Sequence, residues 1–177
     1  MKTQRKVFKF FSVVDWEEEE AFLRSMHRNG WKLVSGGLVY TFDRCQPEDV
    51  IYQLDYNDAS HKDRDTYLQL FNDLGWEYIQ DFGGYSYFRK PAAEMNSNED
   101  GIFCDDVSRL EMVGRVWKGR MIPILIVFSL LIEPQLVMRL VANNVLLTFI
   151  YWGLFAVYLY IFIKFGIKFA RLRASVK

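Results

Sequence analysis

The fold class predicted is α+β: a ferredoxin-like βαββαβ sandwich made of a duplicated βαβ unit, followed by a transmembrane α-helical hairpin. Three observations predict it. The chain repeats itself, with Gly30-Trp31 recurring as Gly75-Trp76 and Gly36-Gly37 recurring as Gly83-Gly84. Self-similarity at a period of 45 to 47 residues is the mark of a duplicated supersecondary unit. Within each copy, an aromatic and β-branched run precedes a stripe of helical period. Lastly, residues 145–163 hold no charge, and nineteen helical residues reach roughly 28 Å, about the hydrocarbon thickness of a bilayer.

The elements follow in order. Lys6 to Val14 and Asp49 to Tyr56 read as strands. Asp15 is placed as an N-cap, followed by Glu17, Glu18, Glu19 and Glu20 where the helix dipole favours negative charge. Ser60 with Asp63 serves the second copy in the same way, as a weaker capping box. Phe22, Leu23 and Met26 form one apolar stripe; Tyr67, Leu68, Leu70, Phe71 and Leu74 form the other. Gly30 and Gly75 suit the C′ position, where a left-handed backbone is needed. Trp31 and Trp76 should then fold back over the helix ends and seal the core edge. Strands Gly37 to Phe42 and Gly84 to Phe88 close the units, giving one four-stranded sheet with helices on one face. The glycine pairs are expected at a bulge or a close backbone approach.

This domain covers residues 1–91. Residues 92–106, with Asn96, Ser97, Asn98, Glu99, Asp100 and Gly101, read as an acidic flexible linker. Residues 107–120 mix Leu110, Met112, Val113, Val116 and Trp117 with Arg109, Arg115, Lys118 and Arg120. That pattern fits either a helix lying in the membrane interface or a cytosolic extension of the next helix. A first span is expected over 121–142, interrupted by Glu133 and Pro134, and a second over 145–167, with Asn143-Asn144 as the turn. The rival reading makes 121–132 a re-entrant or interfacial segment, leaving one true span. A basic tail, 168–177, closes the chain.

Net charge is zero only as an average. Residues 1–110 carry 13 Lys/Arg against 20 Asp/Glu, and residues 111–177 carry 9 against 2. An acidic domain repels phosphate backbones, so no nucleic acid is expected as a partner. Basic residues flanking the spans point to a plasma-membrane protein, multi-pass, with both termini cytoplasmic. Lys9 interrupts the apolar N-terminal stretch and no small-residue cleavage site follows, so a signal peptide is not expected. Cys45 and Cys104 stand far apart, as two reduced thiols in the cytosol would.

Chemistry-bearing patterns are sparse. No catalytic, metal or cofactor site is expected. His27 and His61 lack a second ligand at metal spacing, and both read as surface residues. The glutamate run reads as a solvated first turn. Glu133 and Arg139 are the ionisable groups inside the apolar region, functional suspects by default but within snorkelling reach of the outer interface. Phe8, Phe10, Tyr40, Tyr52, Tyr56, Tyr85 and Tyr87 lie on strands, and alternation should turn some away from the helices. They are the candidate surface for a ligand or partner.

The duplicated Gly-Trp and Gly-Gly-x-x-Tyr units, ending in Phe88-Arg89-Lys90-Pro91 and followed by two apolar stretches, resemble the bacterial membrane-protein family known as domain of unknown function 2812. The resemblance covers residues 6–91 well and the hairpin loosely. Members are encoded beside PadR-type regulators, so the resemblance implies a role in envelope or stress regulation. It carries no functional residues across. The expectation is therefore a membrane-anchored, non-enzymatic regulatory module contacting the bilayer and a protein partner or a second copy of itself. The alternative is an oligomeric pore or transporter subunit, resting on Gly153, Gly166, Glu133 and Arg139.

Overall fold

The structure is a computed structural model describing residues 4–12, 14–56, 64–95, 106–131 and 144–175. It divides into two units, Met1–Met112 and Val113–Lys177.

The first unit contains the duplication, arranged differently from the expected ferredoxin order. Strand β1 (Gln4–Phe8) leads to helix α1 (Trp16–Arg28), then to β2 (Trp31–Ser35) and β3 (Val39–Arg44). The second copy repeats this as β4 (Val50–Tyr56), α2 (Arg64–Asp73), β5 (Glu77–Phe82) and β6 (Tyr85–Pro91). Each copy makes its own three-stranded antiparallel sheet, ordered β1-β3-β2 and β4-β6-β5. The single four-stranded sheet is thus corrected to two sheets of three. The cause is local. Trp31-Lys-Leu-Val-Ser and Glu77-Tyr-Ile-Gln-Asp-Phe are themselves strands, so the glycine pairs sit in hairpin loops rather than at strand starts. Gly83 and Gly84 both have positive φ, 63° and 83°, between paired Phe82 and Tyr85, as a two-residue type I′ turn requires. Register shifts at Leu33/Ser35 and Tyr78/Gln80 put a bulge at matching places in both copies.

Helix α1 ends as expected: Gly30 has φ 82° and its N–H reaches the His27 carbonyl at 2.8 Å. Gly75, φ 80°, ends α2 likewise, and the Trp76 N–H closes back on the Phe71 carbonyl at 2.9 Å. Asp15 precedes α1, but its carboxylate accepts from the Ser12 N–H and hydroxyl instead of capping the helix. Ser60 and Asp63 lie outside the described residues. Trp76 seals a core with Phe71 and Phe88, flanked by Ile51, Tyr67, Leu68, Tyr78 and Met95. Trp31 does otherwise, lying half-buried beneath the guanidinium groups of Arg5 and Arg44.

After a 3₁₀ turn at Ala92–Glu94, α3 (Asp106–Val116) passes into a π-turn at Trp117–Met121 and then α4 (Ile122–Leu131). The unit boundary falls within α3. Helix α5 (Val145–Ser175) is the one helix among the described residues long and apolar enough to cross a membrane, over Val145–Arg171. Its apolar residues project on all sides, a pattern that suits lipid better than water. Within the second unit, Trp117 stacks on Phe165 at 5.3 Å, and Phe128 lies 5.2–6.1 Å from Phe155, Tyr158 and Phe162. Half of the expected first span, residues 132–142 with Glu133, Pro134 and Arg139, lies outside the described residues. Among the described residues, the expected transmembrane pair is thus represented by one membrane-length helix, α5.

Candidate functional site

Three places in the first unit collect groups capable of chemistry or binding. The first is a buried polar seam. Trp16, Glu19, Leu23 and His27 are spaced three and four apart on α1, so all four turn inward. Glu19 Oε1 accepts the hydroxyls of Tyr40, on β3, and Tyr87, on β6, each at 2.6 Å. One carboxylate oxygen thereby joins the helix to both sheets. Burial raises the Glu19 carboxyl above the ordinary carboxylate range, while the two hydroxyls oppose that rise. Burial, with the neighbouring carboxylate, pushes both phenols far above their usual range, so they stay protonated donors.

Further along, the Tyr52 hydroxyl is 2.8 Å from His27 Nδ1 and accepts the Leu33 N–H at 3.3 Å. Burial, reinforced by the Arg89 charge, lowers the His27 imidazole below its usual range, which leaves Nδ1 able to accept the phenolic proton. The carbonyl of Gly30, just before β2, already accepts the N–H of Cys45, just after β3, so alternation aims the Leu33 backbone groups away from that hairpin. They meet side chains instead of a strand. Arg89 donates to the Leu33 carbonyl at 3.3 Å, and the Gln80 amide bonds both the N–H and the carbonyl of Gly36, at 3.0 and 3.1 Å. Glu20 does the same for the outer edge of β4, accepting the Leu54 N–H at 2.8 Å. Asp49, held well below the carboxylate range by hydrogen bonds from Arg24 and Arg28, pins the far end of α1 to the start of β4.

Tyr40, Tyr52, Tyr56, Tyr85 and Tyr87 are therefore buried, and the expected open aromatic face is covered by α1 and the first sheet. Phe8 and Phe10 remain outside, 75 % and 68 % exposed. Two surface readings are corrected. Glu19 and His27 belong to the interior, a fact legible in their three-and-four spacing with Trp16 and Leu23, which the acidic run obscured.

The second place is an open groove of about 680 Å³ beside the C-terminal end of α2. Leu68, Gln69, Asn72, Asp73, Gly75, Trp76, Glu77 and Tyr78 line it. Its volume falls in the small-ligand range, but its openness and its amide and carboxylate lining suit a polar partner lying across the surface. Of the motif glycines, Gly36 lies against Gln80 and Tyr40, Gly37 against Phe82, and Gly84 against the ring of Tyr56.

The third is the outer face of the first sheet. Phe8 pairs with Val39 across β1 and β3, and Val34 is the exposed, unpaired residue of the bulge in β2. Leu38 and Phe10 adjoin the same end, and all five are exposed. Lys6 lies on this face as well, near Phe8, and Lys32 stands across from Asp43 towards the opposite end of β3.

Among the described residues, no group of three or more His, Cys, Asp or Glu stands close enough to hold a metal. Glu133, Arg139, His61 and Cys104 lie outside the described residues. Among the described residues, an added Cβ at Gly153 or Gly166 would meet nothing within 4 Å. No curated protein and no solved structure matches the chain. A family match does cover residues 15–126, from the start of α1 into α4, which is more than half of the chain. The protein belongs to the family described as Protein of unknown function (DUF2812).

Proposed function

We propose that the protein is a membrane-anchored, non-enzymatic binding module that recruits a protein partner to the cytoplasmic face of a bilayer. The observation carrying this reading is the join between a membrane-length apolar helix and a domain whose buried polar groups are consumed by one another. A general acid or nucleophile needs a reacting atom within reach; Glu19 and His27 instead face tyrosines. The open α2 groove, with Asn72, Asp73 and Glu77, is the surface offered to a partner.

Helix α4 and helix α5 insert together as a hairpin in this reading. The opposed order of their ring contacts, Trp117 with Phe165 and Phe128 with Phe155, supports antiparallel packing. Arg115, Lys118 and Arg120 precede α4, and Lys164, Lys168, Arg171 and Arg173 end α5, so the positive-inside rule leaves both flanks in the cytosol.

Two measurements test the proposal. A membrane-impermeant maleimide should leave Cys45 unmodified in intact cells and modify it after permeabilisation; modification from outside overturns the orientation. A photo-crosslinking amino acid placed at Asn72 in the full-length chain should capture a discrete protein in cells, while the same group at Leu70 should not. Equal capture at both positions, or none at Asn72, overturns the binding role.

A further inference from the structure

We infer that the outer face of the first sheet is a second membrane contact, which lays the domain against anionic lipid through Phe8, Phe10, Leu38, Val39 and Val34. Single exposed apolar side chains are ordinary on a soluble domain. Five at one end of one sheet are not ordinary, because the β1–β3 register and the β2–β3 hairpin bring them together. Phe8 and Phe10 are the most exposed of these, at 75 % and 68 %.

The charge beside the patch identifies the occupant. Lys6 lies on the same face, two residues along β1 from Phe8, while Lys32 stands across from Asp43 towards the other end. Aromatic and aliphatic side chains with the Lys6 ammonium beside them match an interface of acyl chains beneath phosphate and carboxylate headgroups. A second copy fits poorly. β1 is an edge strand with Lys6 at its centre, so pairing β1 with its own copy would set Lys6 against Lys6. The bilayer is also the surface this domain cannot leave. A covalent tether to a spanning helix holds its local concentration high, so weak contacts suffice for docking. This inference rests on α5 crossing the membrane, as proposed above.

The test uses the full chain in nanodiscs of phosphatidylcholine, with or without about 30 mol % phosphatidylserine, enough to give the negative surface potential of a cytoplasmic leaflet. With Cys45→Ser and Cys104→Ser as background, one nitroxide is placed at Val39→Cys, Leu70→Cys or Val157→Cys. Collision with oxygen reports lipid, and collision with a nickel chelate reports water. The label at 157 should be lipid-exposed in both discs and the label at 70 aqueous in both. The label at 39 should gain severalfold in its oxygen-to-nickel ratio when phosphatidylserine is present, and Lys6→Glu with Lys32→Glu should abolish that gain. An aqueous label at 39 beside an immersed label at 157 overturns the docking face and leaves the anchor standing. Aqueous labels at both positions overturn both readings. Equal immersion in the two lipids, or spin–spin broadening from a neighbouring copy at 39, overturns the anionic-lipid assignment.

Discussion

Glu19 holds three elements with one atom, and its protonation should therefore register in the stability of the whole domain. Burial raises its carboxyl above the ordinary value of 4.5, so its contribution is full below that value and is lost as pH rises through the raised one. His27 has the opposite sign. Its imidazole is lowered beneath 6.5, so its contribution is full above 6.5 and is lost as pH falls toward the lowered value. Glu19→Gln keeps an amide oxygen for both tyrosines and removes the charge. Thermal melts of the full chain from about pH 5 to 8 should fall less steeply with rising pH in this variant than in the wild type. Parallel curves would show that the carboxyl does not titrate there. Glu19→Ala leaves the Tyr40 and Tyr87 hydroxyls without their acceptor, and should cost about 2–4 kcal/mol in a denaturant titration.

At the scale of the elements, the glycine loops decide which strands exist. An added Cβ at Gly84 would stand 2.7 Å from the buried Tyr56 ring, on a backbone with φ 83°. Gly84→Ala should cost about 2 kcal/mol or more, the left-handed penalty plus the clash, read as a lowered denaturation midpoint. Gln80→Ala removes both bonds to Gly36 and should cost about 1–2 kcal/mol, with faster hydrogen exchange at the Gly36 amide; unchanged exchange would mean that the contact does not form. The duplication, α1 and α2 with their glycine stops, and the apolar C-terminal helix were all legible from spacing and composition. The hairpins were not. Trp31 to Ser35 is short, bulged and mixed in polarity, and a Gly-Gly pair reads equally as a turn or as the start of a strand. The burial of five tyrosines was hidden for a related reason. Period-two alternation tells which side chains share a face, but not whether a second sheet lies on it.

For the molecule as a whole, the anchor carries a plain expectation. The wild type should remain in the membrane pellet after alkaline carbonate washing, and release would remove the spanning assignment of α5. Val157→Arg, near the middle of Val145–Arg171, should cost about 2.5–3.5 kcal/mol of insertion and shift a measurable share into the wash. The way β2 is held has a consequence for how this domain forms. A strand paired with another strand can slip by two residues and rebuild its ladder. Tyr52, Arg89 and Gln80 offer no such second position, since each reaches one particular backbone group, at Leu33 on β2 or at Gly36 just after it. The seam between the two halves thus has a single alignment, and either half released alone would present a raw, unmated border to its surroundings.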